Sequence, residues 1–315
     1  MTTPGDSKAA SSRAFRKKRI APGTVGGTCR GATFPSVASR VATIVAFAVL
    51  FDGPLAFAQS ETNLVASPTH RPTLAFNVGA QVRQFKWEEF DEDGAKLLKQ
   101  DGPLYGLMAR GEVLGRVGLV GKGLLYFGNV DYDGHTMNGT PAKTDGDYVG
   151  LDFSGDLQAR LGPLDGILSP RAFCGLGLET FNRDLKSTAT ATGYKEEWVN
   201  LHGRAGIGCD ASLSPDLKAF GEIGWKLPIA TSEIVDPGGL DATLRPKQKV
   251  SPFIEAGLQY RYFFVSAFYD SLKFDKSDTE SIVVSSGRSL GILDVWQPES
   301  KSDVYGVNVG LAFRL

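Results

Sequence analysis

The chain has 315 residues, enough for one large domain or two ordinary ones, and carries 34 Lys/Arg against 35 Asp/Glu. That balance averages two unlike parts: residues 1–58 hold eight of the bases and only two acids, Asp6 and Asp52, so the rest of the chain is acidic. An acidic body excludes a nucleic-acid partner held by phosphate contacts. The two cysteines beyond residue 58, Cys174 and Cys209, are too few for a disulfide-built scaffold or a Cys/His zinc centre.

The basic stretch runs into an apolar segment, residues 41–51, in which Thr43 is the only polar side chain. Eleven helical residues rise about 16 Å, roughly half of a bilayer core. Asp52-Gly53-Pro54 breaks the run, and Ala56-Phe57-Ala58 supplies the small-x-small pattern that signal peptidase needs. The order of these features predicts a signal peptide over 1–58 with a long basic leader, cleavage before Gln59, and a periplasmic N-terminal segment over 59–71.

Beyond residue 58 no stretch is long and apolar enough for a transmembrane helix. Residues 72–315 instead alternate with period two. Leu74, Phe76, Val78, Ala80 and Val82 stand against Asn77, Gly79, Gln81 and Arg83. Val149, Leu151, Phe153, Leu157 and Ala159 stand against Asp152, Ser154, Asp156, Gln158 and Arg160. One apolar and one polar face over about ten residues is the pattern of a barrel strand with lipid outside and a polar lumen. Ten such segments are predicted, over about 72–88, 103–112, 116–131, 146–161, 170–184, 196–211, 216–229, 248–261, 264–275 and 302–315. In the third, Leu124 and Tyr126 compete with Leu125 and Phe127 for the lipid face. The links alternate long and short, as expected of tight periplasmic turns at one end and extracellular loops at the other. The fold class is therefore all-β, an antiparallel transmembrane barrel of ten strands. Twelve is the alternative, because residues 281–285 and 290–295 can form one further hairpin, expected to project above the membrane.

The last strand alternates Tyr305, Val307, Val309, Leu311, Phe313 and Leu315 with Gly306, Asn308, Gly310, Ala312 and Arg314. It resembles the C-terminal strand signal read by the outer-membrane assembly machinery, with Leu315 where an aromatic residue is usual. Together with Phe127-Gly-Asn-Val-Asp-Tyr-Asp-Gly134, Asp270-Ser-Leu-Lys-Phe-Asp-Lys-Ser277 and Gln297-Pro-Glu-Ser300, the chain resembles a group of uncharacterised proteobacterial outer-membrane β-barrel proteins. That resemblance implies fold and location, the cell outer membrane, and says little about activity.

In size and strand number the chain is also similar to the omptin proteases, whose catalytic Asp and His residues lie near the extracellular rim. Asp131-Tyr-Asp133 and His135 stand at the matching height, and carboxylates spaced i, i+2 beside a His can activate a water. The partner Asp/His pair on the opposite wall is missing, because the loop at about 230–247 has no His. Asp91-Glu92-Asp93-Gly94 groups oxygen ligands around a flexible Gly, though not at a Ca²⁺-loop spacing.

Alternation assigns Arg83, Arg110, Glu112, Asp152, Asp156, Arg160, Glu179, His202, Arg204, Glu222, Glu255 and Arg261 to the lumen. They either line a narrow pore or pack as an ion network that closes it; ten strands leave little space beyond side chains, which favours closure. The sequence thus predicts a non-enzymatic outer-membrane barrel with a side-chain-plugged lumen and interacting loops. The alternatives are a narrow porin and a rim-sited hydrolase. No catalytic, metal or cofactor residue is assigned. The expected partners are outer-membrane lipid and, through the last strand, the assembly machinery; the barrel is expected to be a monomer. One register of the fifth and sixth strands would set Cys174 opposite Cys209 and Glu179 opposite Arg204, and would bring the cysteines close to bridging distance.

Overall fold

The computed structural model describes residues 73–314 except 136–139, 163–166, 190–191, 237–240 and 287–288; the leader and residues 59–71 lie outside them. The strands are β1 (Thr73–Phe90), β2 (Lys96–Leu114), β3 (Val117–His135), β4 (Pro141–Arg160), β5 (Leu168–Leu185), β6 (Tyr194–Ser212) and β7 (Leu217–Asp236). They continue with β8 (Ala242–Leu244), β9 (Lys247–Lys249), β10 (Ser251–Tyr260), β11 (Phe263–Asp275), β12 (Glu280–Ser286), β13 (Ser289–Val295) and β14 (Glu299–Arg314). Each of β1 to β7 pairs antiparallel with the next; β14 lies between β1 and β11, and β10 pairs with both β11 and β7, which closes the ring. The short β8, β9 and β10 together make one interrupted stave, so the wall is a closed antiparallel barrel of ten staves. The hairpin of β12 and β13 is a separate two-stranded sheet rather than two further staves.

All ten predicted segments lie on staves, but the staves are longer than the alternation suggested. β1 to β7 run 18–20 residues each, and the link expected over about 89–102 shrinks to the turn between Phe90 and Lys96. The reason is a reversal of polarity along each stave. Near the chain termini the apolar side chains point outward: Leu74, Phe76 and Val82 on β1, Leu107 and Val113 on β2, and Val149, Phe153 and Leu157 on β4 are all exposed. Further up the same strands the apolar residues point inward, as Phe85 and Trp87, Leu98 and Leu104, and Tyr148 do, while Lys86, Lys99 and Asp147 face out. A single-phase pattern ends where the outward residues change from apolar to polar, although the hydrogen-bond ladder continues.

On β3 the ambiguity resolves cleanly. Leu125 and Phe127 are 48% and 51% exposed on the outer face, whereas Tyr126 is 3% exposed and points into the lumen. The inward position is possible because Tyr126 lies over Gly150 of β4, where any Cβ would overlap its ring. β7 carries one extra residue against β6: Leu201 pairs with Ala230 and His202 with Pro228, so Ile229 is bulged.

The register of β5 and β6 differs from the expected one. Cys174 faces Ala205, Cys209 faces Pro170, and Glu179 faces Asn200. The two cysteines are therefore about 14 Å apart along the strands at roughly 3.4 Å per residue, well beyond the ~7 Å limit for a bridge, and both are free. The observed pairing sets Phe181 beside Trp198 and Arg183 beside Glu196, and it places His202 against Gly177, where no larger residue fits. The expected register would have put His202 against Phe181.

Candidate functional site

The lumen has two stacked halves. At the terminal end the inward side chains form an ion network. Arg110 pairs with Glu112 and stands 3.8 Å from Glu222. Lys122 pairs with Glu222 and lies 3.6 Å from Glu255. Arg171 bridges Asp210 at 2.5 Å and Glu222 at 3.3 Å. Arg204 donates through Nε to Asp156 at 3.2 Å, and Lys226 reaches Asp270 at 2.6 Å and Glu179 at 3.8 Å. Each of these charges thereby meets an opposite charge in a region where an isolated ion would cost several kcal/mol or more. A cavity of about 130 Å³ remains among these groups, walled on one side by Phe220, Phe253, Phe264 and Phe268.

The loop half is filled instead by aromatic and aliphatic side chains. Phe85, Trp87, Leu98, Leu104, Tyr126, Val130, Tyr148, Phe181, Trp198, Leu272, Phe274 and Val304 form one buried cluster drawn from eight staves. Trp198 stacks on Phe181 with centroids 5.8 Å apart and meets Trp87 edge-on at 5.1 Å. Trp87 also lies 6.0 Å from Phe274.

Buried carboxylates surround one guanidinium beside this cluster. Arg183 pairs with Glu196 and stands 3.6 Å from Glu89. The indole Nε1 of Trp87 donates to Glu89 at 2.9 Å, that of Trp198 to Glu196 at 3.1 Å, and Gln297 donates to Glu89 at 3.0 Å. Glu233 is fully buried and neither of its carboxylate oxygens has a hydrogen-bond partner. Burial pushes the Glu89 carboxyl up, opposed by Arg183 and reinforced by Glu196. Burial raises the Glu233 carboxyl well above its ordinary value, again with Glu196 adding to the effect. Tyr132, on the same side of the cluster, is pushed up to about 12 by burial and then by Glu89.

The residues singled out from the sequence divide among three places. Arg83, Arg110, Glu112, Asp152, Asp156, Arg160, Glu179, His202, Arg204, Glu222 and Glu255 face the lumen. Arg261 does not: it sits at φ 52° in the turn between β10 and β11, exposed, with its guanidinium 3.2 Å from Asp216. Alternation fails there because a turn residue no longer follows the pleat.

Asp131, Asp133 and His135 point out of the wall. Asp133 bridges Lys143 at 2.8 Å on that outer surface, and His135 lies 3.5 Å from the carbonyl oxygen of Leu97. They are therefore not gathered with the carboxylates inside the loop half. Asp91 is consumed by its own turn: its Oδ1 accepts from the backbone amides of Asp93 at 3.0 Å and Ala95 at 2.7 Å, with Gly94 at φ 78°. Among the described residues no three His, Cys, Asp or Glu side chains converge to hold a metal ion.

Sequence reasoning missed the Glu89, Arg183, Glu196 and Glu233 group and the aromatic fill beneath it. The available signal was the set of large aromatics, Phe85, Trp87, Phe181 and Trp198, in the phase opposite to the lipid-facing one.

No protein-family model matches the chain, and no curated protein is similar to it. Solved structures do match. The outer membrane protease OmpT from Escherichia coli is similar with a TM-score of 0.52 and 11% identity, over 81% of this chain and 100% of that one. The outer membrane protein OprG from Pseudomonas aeruginosa is similar at 0.39 and 14%, over 77% and 96%. The Pseudomonas putida toluene transporter TodX is similar at 0.32 and 10%, over 76% and 89%. At such identities the likeness is one of fold, that of bacterial outer-membrane barrels.

Proposed function

We propose that the chain is exported and resides in a bacterial outer membrane as a closed, non-enzymatic, monomeric barrel whose loops meet the cell's surroundings. The observation that carries this reading is the filled loop half of the lumen: large aromatic side chains from opposite walls touch across it. A path for solutes would have to pass through packed rings at crystal-like density. The exposed apolar band below it, with Leu107, Leu119, Phe127, Val149, Leu176 and Val309 among its members, supports residence in lipid, because a soluble protein rarely exposes such a continuous apolar area. The outward Asp131, Asp133 and His135 favour a structural over a hydrolytic role. The β12 and β13 hairpin is the largest loop element, and exposed Val283 and Ile292 face each other on it; it is the natural contact for a partner outside the cell. Outer-membrane lipid and, through β14, the assembly machinery are the other partners.

Reconstitution in planar bilayers tests the reading. The folded protein is expected to give no steady unit conductance at neutral pH. A stable open level would overturn the closed lumen and return the narrow-porin alternative.

A further inference from the structure

The carboxylates beside the aromatic cluster outnumber the cations that meet them. Glu89, Glu196 and Glu233 are all buried, and Arg183 is the one cation paired with any of them among the described residues. The neighbouring staves bring no other. β3 adds Tyr132, β4 adds Tyr148 and β6 adds Tyr194, while β8 and β9 turn only the uncharged Ala242, Leu244 and Gln248 inward. Glu233 lies between Trp198 of β6 and Leu244 of β8, and neither of its carboxylate oxygens has a hydrogen-bond partner. The group is on the loop side of the rings, because Glu89 follows Phe85 and Trp87 on β1, Arg183 follows Phe181 on β5, and Glu196 precedes Trp198 on the descending β6. The rings that close the lumen are tied to it. Trp87 donates to Glu89 at 2.9 Å and Trp198 to Glu196 at 3.1 Å. Gln297, held to Ser277 at the foot of the β12 and β13 hairpin, also donates to Glu89.

We propose that the loop half of the lumen is a plug held shut by protons: it stays packed while Glu89 and Glu233 are neutral, and it parts to admit water when a rise in the outside pH ionises them. The inference rests on the closed lumen and adds what keeps it closed. With both protons in place, Glu196 balances Arg183 and the group is neutral. Without them it holds two uncompensated negative charges in a site sealed by rings, where each such charge costs several kcal/mol. Hydration removes that cost, and Trp87 and Trp198 are the side chains that must move to allow it. The foot of the hairpin, fastened to Glu89 through Gln297, moves with them. Burial raises both carboxyls in the packed state. The packed state is therefore fully favoured below the usual carboxylate range. Above that range it loses about a factor of ten per pH unit for each proton released, until the pH reaches the packed-state values.

The test is acrylamide quenching of Trp fluorescence in the mature protein folded into lipid vesicles, from about pH 6 to about pH 9, below the tyrosine range. Trp225→Phe and Trp296→Phe leave Trp87 and Trp198 as the reporters, and circular dichroism follows the barrel. The expected result is weak quenching at neutral pH that rises with pH while the circular dichroism stays constant. Glu233→Gln leaves one proton fewer to lose, so the rise should move up by about one pH unit or more. Glu89→Gln should move it in the same direction. Flat, weak quenching across the range overturns the proton-held plug and leaves the closed lumen standing. An unchanged midpoint in both variants overturns its assignment to this group, and a rise that accompanies loss of the barrel signal overturns local opening. Strong quenching already at neutral pH overturns the closed lumen itself, which conductance at neutral pH checks separately.

Discussion

Replacing Trp198 by alanine examines the filled half of the lumen directly. Trp198 is fully buried and touches Trp87, Phe181 and Phe274, with centroids 5.1, 5.8 and 5.3 Å away. Truncating a buried Trp to Ala typically costs about 3–5 kcal/mol through lost burial and the cavity left behind. The three ring pairs carry roughly 0.5–1.5 kcal/mol each beyond area, part of which is already in that figure. Glu196 loses the indole donor at 3.1 Å but keeps Arg183, so this loss adds about 1 kcal/mol. The expected destabilisation is about 4–5 kcal/mol, a large share of the ~5–15 kcal/mol of a typical domain. Urea unfolding in lipid vesicles, followed by circular dichroism, measures it, with Trp225→Ala as the comparison. Trp225 is 49% exposed on the outer face and loses far less packing. If Trp198→Ala shifts stability by less than about 1 kcal/mol, or by no more than Trp225→Ala, the cluster is not a packed core and the closed-lumen reading fails with it.

Glu233 sets a pH dependence. Its carboxyl is raised in the folded state, so the folded protein holds a proton that the unfolded chain has released above the usual carboxylate range, and its contribution to stability falls as pH rises from there towards its folded value. Glu233→Gln should therefore stabilise the barrel increasingly from mildly acidic to alkaline pH in vesicle unfolding curves; a constant offset at all pH values would contradict the burial argument. Ile223 stands between Ile207 and Ile254 on the outer face. Ile223→Arg should cost about 2–4 kcal/mol if that row crosses the hydrocarbon, and a silent substitution would show that the band is not in lipid. Ala205→Cys in a Cys209→Ser background should cross-link to Cys174, which faces it directly. The unmodified protein should instead show two reactive thiols after denaturation without reductant, and a single bridged species would restore the discarded register.

The period-two alternation determined the ten staves, their order and the face of nearly every side chain in the apolar band, because the pleat sends successive residues to opposite sides and lipid demands one apolar face. It also put Arg83, Asp152, Glu179 and Arg204 in the lumen. It could not give the register of β5 and β6. A shift that moves both strands together by whole pleat periods leaves every residue on its own face, so the expected and observed pairings have identical patterns. Only the fit of Trp198 on Phe181 and of His202 against Gly177 separates them. Nor could it give the length of the staves, since the apolar residues switch from the outer to the inner face between Val82 and Phe85 on β1, while the backbone ladder runs on to Phe90. Which charges find partners was also a matter for the closed structure. Arg83 and Asp152 carry the same residue types in the same phase as Arg204 and Asp156, yet only the second pair meets. Facing is a local property of one strand, whereas pairing depends on the tilt and stagger that ten strands adopt together when the ring closes.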